Sequence, residues 1–164
     1  MTSQPAAFAP AEPLDERIDI TWEDLDLLVA RLAQDVGRDH DIVLAITRGG
    51  LVPAGMLAYR LDLREILVAG MEFYTDSGET LPAPVVRHFP DAELLAGMRV
   101  LVIDEVWETG ETMAEVLRRV RAAGGLPTVA VIHYKPGRSR VSVAPEHFAA
   151  MAHGWVTYPY KPGG

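Results

Sequence analysis

The chain contains no cysteine, which excludes disulfide bonds, a thiolate zinc site and a cysteine nucleophile. Positive charge is also scarce: 15 Lys and Arg residues stand against 23 Asp and Glu residues, for a formal net charge of -8. A polyanion is repelled by such a chain, so we expect neither nucleic acid nor a membrane surface as a partner. No apolar stretch approaches the ~20 residues that span a bilayer, and the N-terminus lacks the pattern of a signal peptide. These features predict a cytoplasmic protein.

The length of 164 residues is typical of one domain. Residues 1–16 contain three prolines and no helical or strand period, which predicts a disordered or extended N-terminal tail. The domain is expected to cover residues 17–164.

Along the rest of the chain, short apolar runs typical of buried strands alternate with segments that have helical periodicity. This pattern predicts an α/β fold with a mostly parallel sheet flanked by helices. Strands are predicted at Ile42–Ile46, Arg64–Phe73, Val100–Ile103 and Thr128–Ile132. Helices are predicted from Thr21, as part of a capping box with Asp24, to about Gly37, and at Leu51–Leu61 and Thr112–Ala123. Residues 74–97 hold three prolines and two glycines, and we interpret them as a long loop or a small subdomain.

Two predicted strands end in unusual residues, at the edge of the sheet where ligands of α/β proteins bind. The first strand is followed by Arg48, Gly49 and Gly50. Paired glycines allow backbone amides to approach an anion, and the guanidinium can bind it in a forked geometry. An ordinary strand–helix turn is the alternative.

The second strand end is more specific, because Asp104 and Glu105 follow a buried strand directly. Adjacent carboxylates repel each other, and they make sense facing ribose hydroxyls or a divalent cation. A helix N-terminus then follows Gly110, where free amides and the macrodipole favour a phosphate. Residues 109–112, at this helix N-terminus, are called the phosphate nest below. Two carboxylates followed by such a phosphate-binding segment indicate a binding site for a ribose 5-phosphate.

The stretch from Val100 to Thr112 resembles the signature of the type I phosphoribosyltransferases. The resemblance implies binding of phosphoribosyl pyrophosphate (PRPP) with Mg²⁺, in a fold that carries a small hood. Asp104 and Glu105 would hold the ribose hydroxyls and the metal, and Arg48, Gly49 and Gly50 match the pyrophosphate loop. The residues implied to hold the 5-phosphate are Glu108, Thr109, Gly110, Glu111 and Thr112.

Five further segments have a recognisable pattern: Ile20–Trp22, Thr47–Pro53, Lys135-Pro136, Trp155-Val156 and Tyr158–Tyr160. With these and the acidic strand end, the chain over residues 20–160 resembles the bacterial xanthine-guanine phosphoribosyltransferases. This resemblance implies that Lys135 binds the 6-oxo group of a purine, that Trp155 stacks on the ring, and that the backbone of Val156 reads the 2-position. It also implies a homodimer or homotetramer, and a hood formed by residues 74–97 and 136–160.

The reaction so implied belongs to purine salvage: a pentosyltransferase converts PRPP and guanine, xanthine or hypoxanthine to a nucleoside 5'-monophosphate and pyrophosphate. Glu108 would be the general base. The 74–97 segment would be the lid that excludes water, with Tyr74 near its hinge and Arg87 reaching the pyrophosphate. Two alternatives remain open: a phosphoribosyltransferase for another base, and a regulator of the same fold that senses PRPP or a nucleotide.

Overall fold

The computed structural model describes residues 17–74 and 80–161, without the side chains of residues 73, 74 and 80–83. The predicted tail, residues 1–16, lies outside this range. The strands are β1 (Arg17–Asp19), β2 (Ile42–Ile46), β3 (Ile66–Tyr74), β4 (Thr80–His88), β5 (Arg99–Trp107), β6 (Leu126–Tyr134), β7 (His147–Met151) and β8 (Trp155–Thr157). The helices are α1 (Trp22–Val36), α2 (Leu51–Leu61), α3 (Ala92–Leu95) and α4 (Glu111–Ala122), and a 3-10 turn covers Pro136–Arg138.

Six strands form one sheet in the order β4-β3-β2-β5-β6-β7, and β1 pairs with β8 in a separate two-stranded sheet. All neighbours in the large sheet are parallel except β3 and β4. This arrangement confirms the predicted α/β fold with a mostly parallel sheet. It brings the carboxyl ends of β2, β5 and β6 to one edge.

Helices cover both faces of the sheet, as parallel strands require. The predicted capping box starts α1, since the Thr21 side chain accepts from the Asp24 amide and Asp24 accepts from the Thr21 amide. Helices α1 and α2 bury their apolar stripes on one face, and α4 buries its stripe on the other. None of the described helices is long and apolar enough to cross a membrane.

The structure corrects the prediction in three places. The segment predicted as a loop or small subdomain contains β4, which forms an antiparallel hairpin with β3, and the short helix α3. Strand β5 does not end before the acidic residues but continues to Trp107, because β6 pairs with it as far as Tyr134. The region after β6, where no strand was predicted, adds β7 to the large sheet and β8 to the small one.

Candidate functional site

The turn between β2 and α2 presents exposed Arg48 at the carboxyl edge of the sheet. Only glycine fits its last position, since a Cβ on Gly50 would lie 2.4 Å from the carbonyl oxygen of Ile103. A Cβ on Gly49 would lie 2.6 Å from the carboxyl carbon of Glu105. The peptide bond between Thr47 and Arg48 is cis. The close approach of this loop to β5 is therefore the reason for both glycines.

The turn between β5 and α4 forms the wall of a cavity of about 200 Å³. Gly110 has φ +80°, and Glu111 opens the helix directly after it. This brings the amides of the first turn of α4 to the cavity, where they favour an anion. The cavity is lined by Asp104, Val106, Trp107, Glu108, Thr109, Gly110, Thr112 and Met113.

The two adjacent acids take different surroundings, because successive side chains of a strand point to opposite faces. Asp104 lines the cavity, and its own carboxylate accepts from the Glu105 amide at 2.7 Å. The pKa of Asp104 is raised to about 7, mainly by burial and to a smaller extent by the neighbouring Glu105 charge. Glu105 is 5% exposed, and its carboxylate instead contacts Tyr160 and Lys161.

A second group of side chains surrounds Glu108 at the carboxyl end of β6. Lys135 is 3% exposed, and its Nζ lies 3.7 Å from Glu108 Oε1. The same ammonium lies 5.9 Å from the ring centroid of Trp155, which is 53% exposed. The backbone amide of Lys135 donates to the Trp107 carbonyl at 2.9 Å, so pairing of β5 with β6 fixes the position of this lysine. The structure therefore brings three predicted site residues together.

Arg138 was not predicted as part of the site. Its Nε forms an ion pair with Glu108 Oε1 at 2.8 Å, so the carboxylate predicted as general base is held by a guanidinium. The available signal in the sequence is the basic run from Lys135 to Arg140, but a short basic cluster in an acidic chain is usually solvated surface. Spacing alone does not show that the 3-10 turn folds Arg138 back over Glu108.

The remaining predicted residues lie further from this centre. Val156 is buried in β8, where it pairs with Ile18 of β1. Arg87 lies on the β3–β4 hairpin, where its guanidinium contacts Glu72 at 2.6 Å, and it is not among the described residues that line the cavity. Tyr74 ends β3, and its side chain lies outside the described part of the chain.

His88 is a further residue that the sequence did not indicate. Its Nε2 lies 3.3 Å from Thr47 Oγ1, and its ring occupies the space that a Cβ on Gly70 would fill. His88 therefore connects the β3–β4 hairpin to Thr47, the first residue of the turn between β2 and α2. We call this turn, residues 47–50, the Arg48 loop.

Comparison with known proteins places this geometry in context. A family model described as the phosphoribosyl transferase domain matches residues 21–148. The chain is 25% identical over 144 residues to a xanthine-guanine phosphoribosyltransferase of Idiomarina loihiensis, covering 86% of this chain and 84% of that protein. It is 26% identical over 138 residues to the transcriptional regulator GfcR 2 of Methanosarcina barkeri, covering 73% of this chain and 64% of the regulator.

Solved structures of known proteins also resemble this chain in fold. A purine phosphoribosyltransferase from Pyrococcus horikoshii superposes with a TM-score of 0.75 at 27% identity, covering 90% of this chain and 95% of that one. A hypothetical protein from Neisseria gonorrhoeae, solved with bound ppGpp, has a TM-score of 0.77 at 25% identity, with coverages of 88% and 89%.

Proposed function

The chain belongs to the phosphoribosyl transferase domain family, and on this premise we propose that it transfers the phosphoribosyl group of PRPP to a 6-oxopurine base. The match confirms the resemblance to the type I phosphoribosyltransferases and the predicted enzyme class, that of the pentosyltransferases. In the proposed reaction the bond from the anomeric carbon to pyrophosphate breaks, a bond to a purine nitrogen forms, and that nitrogen loses its proton. The products are a nucleoside 5'-monophosphate and pyrophosphate, as in purine salvage.

The observation that carries this proposal is the buried ammonium of Lys135 beside the exposed face of Trp155. An ammonium has three donors and no acceptor, so it can donate to a 6-oxo group but cannot accept from the amino group of adenine. The contact with Glu108, at 3.7 Å, is longer than a hydrogen bond. Trp155 would stack on the base, and the Val156 backbone would read the 2-position.

PRPP would occupy the cavity at the turn between β5 and α4 and extend from it to the turn between β2 and α2. The phosphate nest at residues 109–112, with its Thr109 and Thr112 hydroxyls, would hold the 5-phosphate, and Asp104 would face the ribose hydroxyls. Arg48 and the amides of Gly49 and Gly50 would hold the pyrophosphate. The transition state resembles an oxocarbenium ion, so positioning and charge compensation supply most of the catalysis.

Asp104 and Glu105 were both predicted to hold Mg²⁺, but the Glu105 carboxylate contacts Tyr160 and Lys161 instead. Mg²⁺ would therefore fit this site through one carboxylate, that of Asp104. The described residues contain no group of three or more His, Asp and Glu side chains arranged for a metal ion. Mg²⁺ is commonly held by one or two carboxylates together with substrate phosphates, so such a group is not required. Asp104 suits this role, because a cation would stabilise the ionised form that burial disfavours. When bound with PRPP, Mg²⁺ would offset the charge of the leaving pyrophosphate.

Glu108 would accept the proton from the purine, while Arg138 and Lys135 hold its carboxylate in place. Residues 74–97, which include β4, would be the lid that excludes water, with Tyr74 near its hinge and Arg87 reaching the pyrophosphate. We also propose that the protein is cytoplasmic and forms a homodimer or homotetramer.

The test is pyrophosphate release from PRPP and Mg²⁺, with guanine, xanthine, hypoxanthine, adenine and uracil offered separately. We expect turnover with 6-oxopurines only. Lys135→Met should raise the KM for the base at least about tenfold, the value of a hydrogen bond to a charged group, with little change in the KM for PRPP. Arg31→Met, at an exposed position of α1, is the control and should match the wild type.

Turnover confined to adenine or uracil would contradict the role of Lys135. The similarity to a transcriptional regulator supports a second candidate function, a PRPP or nucleotide sensor. Tight PRPP binding without pyrophosphate release from any base would favour that sensor. The net charge of -8 argues against direct binding to nucleic acid.

A further inference from the structure

The carboxylate of Glu105 is engaged on both oxygens by two consecutive residues. The Tyr160 hydroxyl donates to Oε2 at 2.6 Å, and the Lys161 ammonium contacts Oε1. The side chain of Glu105 is 7% exposed. A buried carboxylate is costly unless it is paired, so these two contacts are what make the burial of Glu105 tolerable.

The partners of Glu105 are themselves held in place. Tyr158, 1% exposed, donates its hydroxyl proton to the Glu105 carbonyl at 2.8 Å. The rings of Tyr158 and Tyr160 stack with centroids 5.5 Å apart, and Lys161 Nζ lies 5.6 Å from the centroid of the Tyr158 ring. We name Tyr158, Tyr160 and Lys161 the tyrosine–lysine clamp.

The clamped carboxylate packs against the loop that carries Arg48. The space that a Cβ on Gly49 would occupy lies 2.6 Å from the Glu105 carboxyl carbon. Tyr160 Oη also lies 3.4 Å from the Gly49 carbonyl oxygen, but its single proton goes to the nearer carboxylate. Glu105 and Tyr160 thus form a wall behind Gly49.

On the premise of the proposed function, we propose that Tyr160 and Lys161 are positioning residues for PRPP. They hold the Glu105 carboxylate against Gly49, and this contact keeps the Arg48 loop in the conformation that binds the pyrophosphate. Glu105 therefore acts through the loop, while Asp104, its neighbour on the cavity side, is the carboxylate that faces the ribose.

The first test measures PRPP binding to the full chain with Mg²⁺ and no base, by titration calorimetry. Lys161→Met should weaken PRPP binding about tenfold, because it removes a charged partner from a buried carboxylate. Lys161→Arg keeps the positive charge in a side chain of different shape, so it should bind PRPP more tightly than Lys161→Met. Tyr59→Phe, at a side chain that is 92% exposed on α2, is the control and should bind PRPP like the wild type.

A double-mutant cycle shows whether Lys161 acts through Glu105 or contacts PRPP directly. If Glu105 acts through the clamp, Glu105→Gln and Lys161→Met disturb the same contact, and the double variant should bind PRPP no more weakly than Glu105→Gln alone. If the two losses multiply, the proposal is wrong. Melting temperatures of all variants show whether a loss of binding arises from unfolding, and the Lys161→Arg variant identifies loss of the charge as the cause.

Other outcomes distinguish this inference from the proposed function. Wild-type binding of PRPP that Lys161→Met leaves unchanged overturns the clamp alone. Absence of PRPP binding by the folded wild type overturns the proposed function, and the clamp with it. In an active enzyme the Lys161→Met variant should raise the KM for PRPP and leave the KM for the base nearly unchanged, which a general loss of structure would not do.

Discussion

His133 is a buried histidine that is held in its neutral form. Its Nδ1 lies 2.8 Å from the Tyr158 hydroxyl, which donates its only proton to the Glu105 carbonyl. Nδ1 must therefore carry the hydrogen and donate to the tyrosine oxygen. The pKa of His133 is lowered to about 4, mainly by burial and to a smaller extent by the nearby Lys135 charge. This chain of bonds joins β6 to the segment that contacts Glu105.

The protonation of His133 should make stability depend on pH. The unfolded chain binds this proton below about pH 6.5 and the folded chain only below about pH 4. The unfolding free energy is therefore lost as the pH falls through this window, by about 3 kcal/mol in total. His133→Asn keeps a donor at this place and does not titrate.

Urea unfolding at pH 7 and pH 4 of the wild type and of His133→Asn measures this effect. The fall for the wild type should exceed that for the variant by about 3 kcal/mol, since all other titrating groups are shared. Equal pH dependence in the two proteins would show that His133 does not titrate across this window.

The turn between β5 and α4 shows how two elements shape the proposed phosphate nest. Gly110 has φ +80°, and a Cβ there would lie 2.5 Å from Val141 Cγ2 and 2.6 Å from Trp107 Nε1. Gly97 has a similar positive φ of +75°, but a Cβ there would meet no atom within 4 Å. Glycine is therefore favoured at position 110 both by the positive φ and by the close packing, and at position 97 by the positive φ alone.

Alanine at these two positions separates the two requirements. Each substitution should cost about 1–2 kcal/mol of unfolding free energy for the left-handed backbone, and Gly110→Ala should cost about 1–3 kcal/mol more for the overlap with Trp107. Gly110→Ala should also weaken PRPP binding, while Gly97→Ala should not. Denaturant unfolding and calorimetry measure both effects, and equal losses of stability would contradict the role of packing at Gly110.

Elements with a clear apolar pattern were predicted well, and the edge of the sheet was not. The predicted ranges of β2 and α2 match the structure, because a buried strand and an amphipathic helix have distinct periods. Strand β4 was predicted as a loop because it contains Pro82 and Pro84. Proline is tolerated in an edge strand, where backbone amides on one side have no partner strand, and the hairpin with β3 decides this outcome.

On the scale of the whole molecule, the described residues form two apolar layers, one on each face of the six-stranded sheet. Leu32 of α1 belongs to one layer and Leu117 of α4 to the other, with exposures of 0% and 4%. Because β2 and β5 contribute side chains to both layers, we expect the layers to unfold together.

Leucine substitutions on the two faces test this coupling. Leu32→Ala and Leu117→Ala should each cost about 2–5 kcal/mol, and each should leave one transition that circular dichroism and tryptophan fluorescence report alike. Leu27→Ala is the control, because Leu27 of α1 is 64% exposed, and it should change the free energy of unfolding by about 0.5 kcal/mol or less. Two separate transitions in either buried variant would contradict a single cooperative unit.

The sequence by itself determined the α/β class, the order of the main elements and the motifs at the strand ends. These follow from local periodicity, from turn chemistry, and from the types of residue that end each strand. It did not determine that Asp104 and Glu105 have different surroundings, or that Arg138 contacts Glu108. Those contacts join residues 30 to 56 positions apart. Only the pairing of β5 with β6, and the return of residues 158–161 to the sheet edge, bring the partners together, because hydrogen bonds and ion pairs require proximity that no local pattern encodes.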